Sequence, residues 1–129
     1  ATEFISAGHL RFLGVRRDVP QLIAATDIIV FPSTVPHFAR PVIEASAMAK
    51  PVIASDIGGP RELVVPDETG LLIPPDNPEQ LAAAIISLLD DSKLMTQMGE
   101  KGYQRATNKF DAKDNSKRTF AVYDELLLT

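Results

Sequence analysis

Four short apolar runs are spaced along the chain, and the stretches between them carry apolar residues at helical rather than strand spacing. Leu10 to Val15 (LRFLGV) predicts a short buried strand. Ile28-Ile29-Val30-Phe31, halted by Pro32, has no polar face, as expected of a parallel strand covered on both sides. Pro51 to Ser55 (PVIAS) predicts a third strand and Leu71 to Ile73 a fourth. Between the first two runs, Val19, Leu22 and Ile23 predict a helix over Val19 to Thr26 with Asp18 as its cap. An alanine-rich segment predicts the next helix, about Pro41 to Ala49, with proline at the first helical position. Arg61 to Val65 makes one or two helical turns, and Asp67-Glu68-Thr69-Gly70 a turn.

Past the fourth run the pattern is helical to the end. Asn77-Pro78-Glu79-Gln80 opens a helix to about Leu89, with Asn77 as cap, Pro78 preset in φ and Gln80 at the capping-box position. Ser92 to about Thr107 forms another. Asp114 to Leu128 forms the last, with Phe120, Tyr123 and Leu127 along one stripe. Strands alternate with helices about every twenty residues, the βαβ pattern of a parallel sheet. The fold class is therefore α/β, a Rossmann-like parallel sheet flanked by helices. There is no internal repeat and no low-complexity linker, so the helices after Asn77 are expected to flank the same domain.

At 129 residues the chain fits one domain or part of a larger one. A 45% hydrophobic, 23% charged composition belongs to a soluble globular protein and excludes wholesale disorder. No apolar run approaches the ~20 residues needed to span a bilayer. The first ten residues lack the basic-then-apolar order of a signal peptide, and the missing initial Met points to residues upstream. A cytoplasmic location is the expectation. The net charge of −4 gives no footprint for nucleic acid or an acidic membrane surface, so any phosphate must be held by local geometry. The absence of cysteine removes disulfides, thiolate nucleophiles and cysteine zinc sites, and His9 and His37 alone make no histidine-rich metal site.

In an open parallel sheet, ligands bind outside the carboxyl ends of the strands. Three loops leave such ends here. The loop Pro32 to Arg40 runs into a helix N-terminus, where free backbone N–H groups and the helix dipole favour an anion, and Arg40 adds a fork of donors. In the loop Asp56 to Glu62, Gly58 and Gly59 would let a ligand approach the backbone. The third loop is Gly14 to Asp18. Glu44, in the first turn of the Pro41 helix, could accept two hydrogen bonds from the vicinal hydroxyls of a ribose. Each residue alone has a plainer reading. Glu44 can be a helix-dipole carboxylate, Gly58-Gly59 a turn and Asp56 the cap of that turn. Arg16, Arg17, His37 and Arg40 can be solvated side chains, and Met48 core packing.

Taken in order, the residues resemble the C-terminal domain of retaining glycosyltransferases with the GT-B fold, of the glycosyl transferases group 1 or sucrose-synthase type. The matching segments are RFLG (Arg11–Gly14), ATDIIVFPS (Ala25–Ser33), PVIEASAMAKPVIASDIGGPREL (Pro41–Leu63), ETGLLIPPDNPEQLAAAI (Glu68–Ile85) and VYDELL (Val122–Leu127). They cover nearly the whole chain in one register.

The resemblance implies a nucleotide-diphosphate sugar as substrate, with Glu44 on the donor ribose. It implies backbone N–H groups of Phe38, Ala39 and Arg40 on the diphosphate. His37, Gly58 and Gly59 are further candidates for donor contact. The family uses no metal or other cofactor, and no catalytic residue is assigned here. Two positions depart from the family pattern. Pro36 stands where the first of two paired glutamates would be, and Ala39 replaces a usual glycine. Proline offers neither carboxylate nor N–H.

The resemblance further implies that residues 1–129 form a nucleotide-sugar-binding domain that is incomplete at its N-terminus. The acceptor-binding N-terminal domain would be a missing partner. Because the family reacts its substrates between two domains, the segment alone is expected to be inactive. Membrane contact is expected only through absent parts, and no nucleic-acid partner is expected. The alternative is a non-catalytic nucleotide-binding or scaffold relative with a degraded sugar site. A dinucleotide-binding module is disfavoured by the absence of a glycine-x-glycine-x-x-glycine turn, and a signalling receiver by the lack of an acidic cluster around Asp27 and Asp56.

Overall fold

Three parallel strands lie at the centre of the computed structural model, which describes residues 2–127. They are β1 (Ile29–Phe31), β2 (Val52–Ser55) and β3 (Gly70–Ile73), in spatial order β1-β2-β3. Ile29 pairs with Val52 and Phe31 with Ala54, while Val52 faces Gly70 and Ser55 faces Ile73. Two helices make the crossovers: α3 (Arg40–Ala47) joins β1 to β2, and α4 (Gly58–Leu63) joins β2 to β3. Helices α5 (Pro78–Asp90), α6 (Ser92–Lys109) and α7 (Ala112–Leu127) follow, and α1 (Thr2–Ser6) and α2 (Val19–Ala24) precede the sheet.

The alternation of side chains along β2 divides the core. Val52 and Ala54 pack with Val42 and Ala45 of α3 and with Leu63 and Val64 at the end of α4. Ile53 points the other way, into Ile73, Leu88 of α5 and Met98 of α6. All four residues of β2 are buried, which is why this run can be apolar on both faces. Arg105 of α6 ties the layers together, donating from Nε to the Leu63 carbonyl and from Nη2 to the Glu62 carbonyl, each at 3.1 Å. It thereby satisfies carbonyls that the end of α4 leaves open.

Several expectations need correction. Leu10 to Val15 forms no strand; it is irregular and exposed, because no strand among the described residues lies alongside it. Asp18 stands at the N-cap position of α2, but its side chain makes no cap hydrogen bond. Its carboxylate is held by Arg16 instead (Nε–Oδ1 2.8 Å, Nη2–Oδ2 2.6 Å), and the helix ends at Ala24 rather than Thr26. Helix α4 begins at Gly58, three residues earlier than expected, so both glycines lie inside it. Helix α3 starts at Arg40 and stops at Ala47, and Ala49 turns away at φ 55°. The final helix starts at Ala112, its predicted end at Leu128 lies outside the described residues, and its apolar stripe is exposed rather than packed on the domain. By contrast, Asn77 accepts the Gln80 N–H at 2.9 Å, as its position before α5 predicts.

Candidate functional site at the carboxyl edge of the sheet

The loop from Pro32 to Ala39 leaves the carboxyl end of β1 and delivers the chain to α3. His37 organises it. Its ring stands edge-on to Phe31 (centroids 5.0 Å apart, 71° between planes). The Ser33 hydroxyl donates to the Val35 carbonyl at 2.8 Å, so its oxygen is left to accept from His37 Nε2 at 3.0 Å. His37 Nδ1 accepts the Ala39 N–H at 3.3 Å. With these partners the ring accepts at Nδ1 and donates at Nε2.

The residue delivered by this clamp is Ala39, at φ 58° and ψ 46°, with only 1% of its surface exposed. A left-handed conformation is costly for any residue with a Cβ, which accounts physically for the usual glycine at this point. Here the Ala39 methyl joins the core beside Val42, offsetting part of that cost. Of the three backbone N–H groups expected at a diphosphate, that of Ala39 is engaged by His37. No acceptor among the described residues is bonded to those of Phe38 and Arg40. Phe38 itself is 67% exposed.

Gly58 and Gly59 meet the loop rather than open space. A Cβ on Gly59 would run into the His37 carbonyl oxygen, and one on Gly58 would lie 2.9 Å from Pro36 Cβ. The Gly59 N–H donates to the same His37 carbonyl at 3.1 Å. The close approach permitted by the two glycines is therefore that of residues 36–38, which are pinned against the start of α4. Asp56 and Arg61 close the far side of this turn: Arg61 donates from Nε to Asp56 Oδ1 at 2.7 Å and from Nη2 to the Asp56 carbonyl at 2.8 Å. The hydrogen bond to Asp56 raises the Arg61 pKa above its ordinary value.

Glu44 lies one turn into α3, not in its first turn, because the helix begins at Arg40. Arg40 Nε and Glu44 Oε1 are 3.3 Å apart, an i,i+4 pair with the Arg40 side chain 80% exposed. Such a pair adds little stability in water and is readily exchanged for a ligand. Both residues line a cleft of about 430 Å³ between α2 and α3, walled by Val19, Pro20, Ile23 and Met48. The contribution of α2 was not anticipated; Val19 and Ile23 carried only a helical-core signal. The third loop is remote in kind: Arg16 and Asp18 pair with one another, so the Asp18 carboxyl is held below its ordinary range and Arg16 above its own. Among the described residues no group of three or more His, Cys, Asp or Glu side chains could hold a metal ion. No described helix is long and apolar enough to cross a membrane.

Residues 2–105 match the model of the family described as glycosyl transferases group 1. The chain is 31% identical over 125 residues to the N,N'-diacetylbacillosaminyl-diphospho-undecaprenol alpha-1,3-N-acetylgalactosaminyltransferase of Campylobacter jejuni, covering 97% of this chain and 33% of that protein. It superposes on Anabaena HepE in complex with UDP with a TM-score of 0.92 at 30% identity, over 96% of this chain and 34% of that one. The HepE complex with UDP-glucose gives a TM-score of 0.90. A crystal structure of the C-terminal domain of a group 1 family protein from Francisella tularensis matches with a TM-score of 0.75 at 31% identity, covering 86% of this chain and 60% of that one. The chain thus spans about a third of the length of the curated relatives it matches. A family match over four-fifths of the residues, joined to the same parallel sheet and crossovers, leads to one conclusion: this chain belongs to the glycosyl transferases group 1 family and has the fold of its GT-B C-terminal domain.

Proposed function

We propose that this chain is the donor-binding part of a glycosyltransferase. It binds a nucleotide-diphosphate sugar, and the protein containing it transfers that sugar to an acceptor with retention at the anomeric carbon. The single observation that carries this reading is the juxtaposition, at one helix start, of the unengaged N–H groups of Phe38 and Arg40, the Arg40 guanidinium, and Glu44 in the adjoining cleft. The diphosphate meets the N–H groups and Arg40 at the positive end of α3. Glu44 turns from Arg40 to the ribose hydroxyls, and the base lies toward Val19, Pro20 and Ile23. Amides and a guanidinium aimed at the diphosphate stabilise the charge that grows on the leaving group as the glycosidic bond breaks. This donor set offsets phosphate charge without a metal, so transfer proceeds without added divalent cation. The binding of UDP and UDP-glucose by HepE supports the nucleotide assignment. The reaction takes place in the cytoplasm, at a cleft completed by an acceptor-binding domain that residues 1–129 do not supply.

A second reading, a nucleotide-binding relative without turnover, is favoured by one feature: Pro36 brings no carboxylate to the loop, and its ring packs on Gly58. The two readings share the nucleotide site and part at chemistry. Calorimetry on the full-length protein tests the shared part. UDP or GDP is expected to bind, and Glu44→Ala to weaken binding by roughly 1–3 kcal/mol through loss of charge-assisted hydrogen bonds. Unchanged affinity would remove Glu44 from the site. Donor hydrolysis or sugar transfer by the same protein would exclude the second reading.

A further inference from the structure

The turn that enters α3 rests on one unusual residue. Ala39 stands at φ 58°, where a residue with a Cβ is strained and glycine is not. Its N–H makes one hydrogen bond among the described residues, to His37 Nδ1 at 3.3 Å. Phe38 and Arg40 flank it, and their unengaged N–H groups take the directions that this turn gives them. Whatever keeps Ala39 left-handed therefore also aims the two amides placed at the diphosphate.

The ring that holds Ala39 is itself held. It stands edge-on to Phe31, its Nε2 bonds the Ser33 hydroxyl at 3.0 Å, and its Nδ1 takes the Ala39 N–H. Neither nitrogen is left for a ligand, so His37 acts on a donor through Ala39 rather than by touching it. A backbone N–H can only donate, so the Ala39 bond requires a lone pair on Nδ1. A second proton on the ring removes that lone pair and sets two N–H groups against each other. The residue is exposed, so solvent protons reach it. The charged side chains on the surrounding elements are Arg40 and Glu44 of α3, Asp56 before α4, and Arg61 and Glu62 within α4. Arg40 pairs with Glu44 and Arg61 with Asp56, and none of the five pairs with His37.

We infer that His37 is a positioning residue for donor binding. By accepting the Ala39 N–H it keeps the turn left-handed, and protonation of its ring releases the turn and lowers donor affinity. The inference rests on the proposed donor-binding function and deepens it, because it names what tunes that site. A cationic ring would also attract a diphosphate, but its charge is exposed and screened by solvent and salt. The lost bond leaves a strained turn unsupported, so the net effect of acid is weaker binding.

Calorimetry on the full-length protein tests this, with UDP-glucose and GDP-mannose as probes. Their diphosphates are esterified at both ends, so they do not titrate alongside an imidazole as the terminal phosphate of UDP does. Affinity for the probe that binds should fall about fivefold from mildly alkaline to mildly acidic pH, the loss of one hydrogen bond. The fall should follow the titration of the His37 ring, read by NMR from the resonances that His37→Asn removes. His37→Ala should show the same loss across the range and no such titration. His37→Asn should restore most of the affinity and lack the pH dependence, because an asparagine Oδ1 accepts the N–H two residues on, as in an Asx turn. In Ala39→Gly, whose backbone turns left-handed unaided, adding His37→Ala should cost less than about twofold. If His37→Ala does not fold, the native pH profile and His37→Asn still decide. Affinity that stays level or rises in acid, or His37→Asn binding no better than His37→Ala, overturns the positioning role. Failure of both probes to bind the native protein at any pH would instead overturn the proposed function, and the inference with it.

Discussion

The runs 10–15 and 52–55 are comparable in apolar content but sit in opposite environments. In β2 every residue is buried, with Val52 and Ala54 against one helical layer and Ile53 against the other. In 10–15 Leu10, Phe12, Leu13 and Val15 are all exposed, and Phe12 keeps 75% of its surface in solvent. The difference is one of partners. β2 lies between two strands, which ladder with it on both edges, and both its faces are covered. The earlier run has no described strand beside it, and an extended segment without a ladder has no backbone bonding to hold it. Apolar character makes a strand permissible; neighbours make it real.

The largest effect that would break this comparison is at the core. Ile53→Ala is expected to destabilise the protein by about 2–5 kcal/mol, whereas Phe12→Ala should stay within about 0.5 kcal/mol, by chemical denaturation. Equal effects would mean that 10–15 is covered in solution. Next comes the contact between loop and helix. Gly59→Ala puts a methyl into the His37 carbonyl and should cost about 1–3 kcal/mol while lowering affinity for UDP, because the loop that aims the Phe38 and Arg40 N–H groups must shift. Loss of stability with unchanged UDP affinity would separate the loop from the site.

The two cap residues give the smaller effects. Asn77→Ala should cost about 1 kcal/mol, since that cap bond is made. Asp18→Asn should have the smallest effect, because the Asp18 side chain makes no cap bond and its pairing with Arg16 is at the surface. Its sign is fixed. Arg16 depresses the Asp18 pKa, so the pair stabilises above the ordinary aspartate range, and that contribution is lost as pH falls through the depressed value. Melting temperatures of native and Asp18→Asn protein should therefore differ slightly at neutral pH and converge in acid.

Much of the fold is legible from residue order because its determinants are local. Ile28 to Phe31 and Pro51 to Ser55 carry β-branched or apolar side chains bounded by proline or polar residues, and they fall within one residue of β1 and β2. Asn77-Pro78 opens α5 by a bond that spans three residues. The candidate site was legible in its location, the loop entering α3, but less so in its geometry. A start at Arg40 rather than Pro41 leaves Glu44 a turn further in. The glycines expected to admit a ligand instead admit residues 36–38. His37, whose role was open, turns out to hold the loop through both ring nitrogens.

By itself the sequence determined which segments could be helix or strand, where α5 starts, and which loop carries Arg40 and Glu44, since propensity, capping and periodicity act over a few neighbouring residues. Only the tertiary structure decided that 10–15 and α7 stay uncovered, that Asp18 serves Arg16, that Ala39 is left-handed, and that α2 supplies a wall of the Glu44 cleft. Those outcomes depend on which distant segment arrives alongside, and a backbone or side chain takes its environment from that arrival rather than from its own neighbours in the chain.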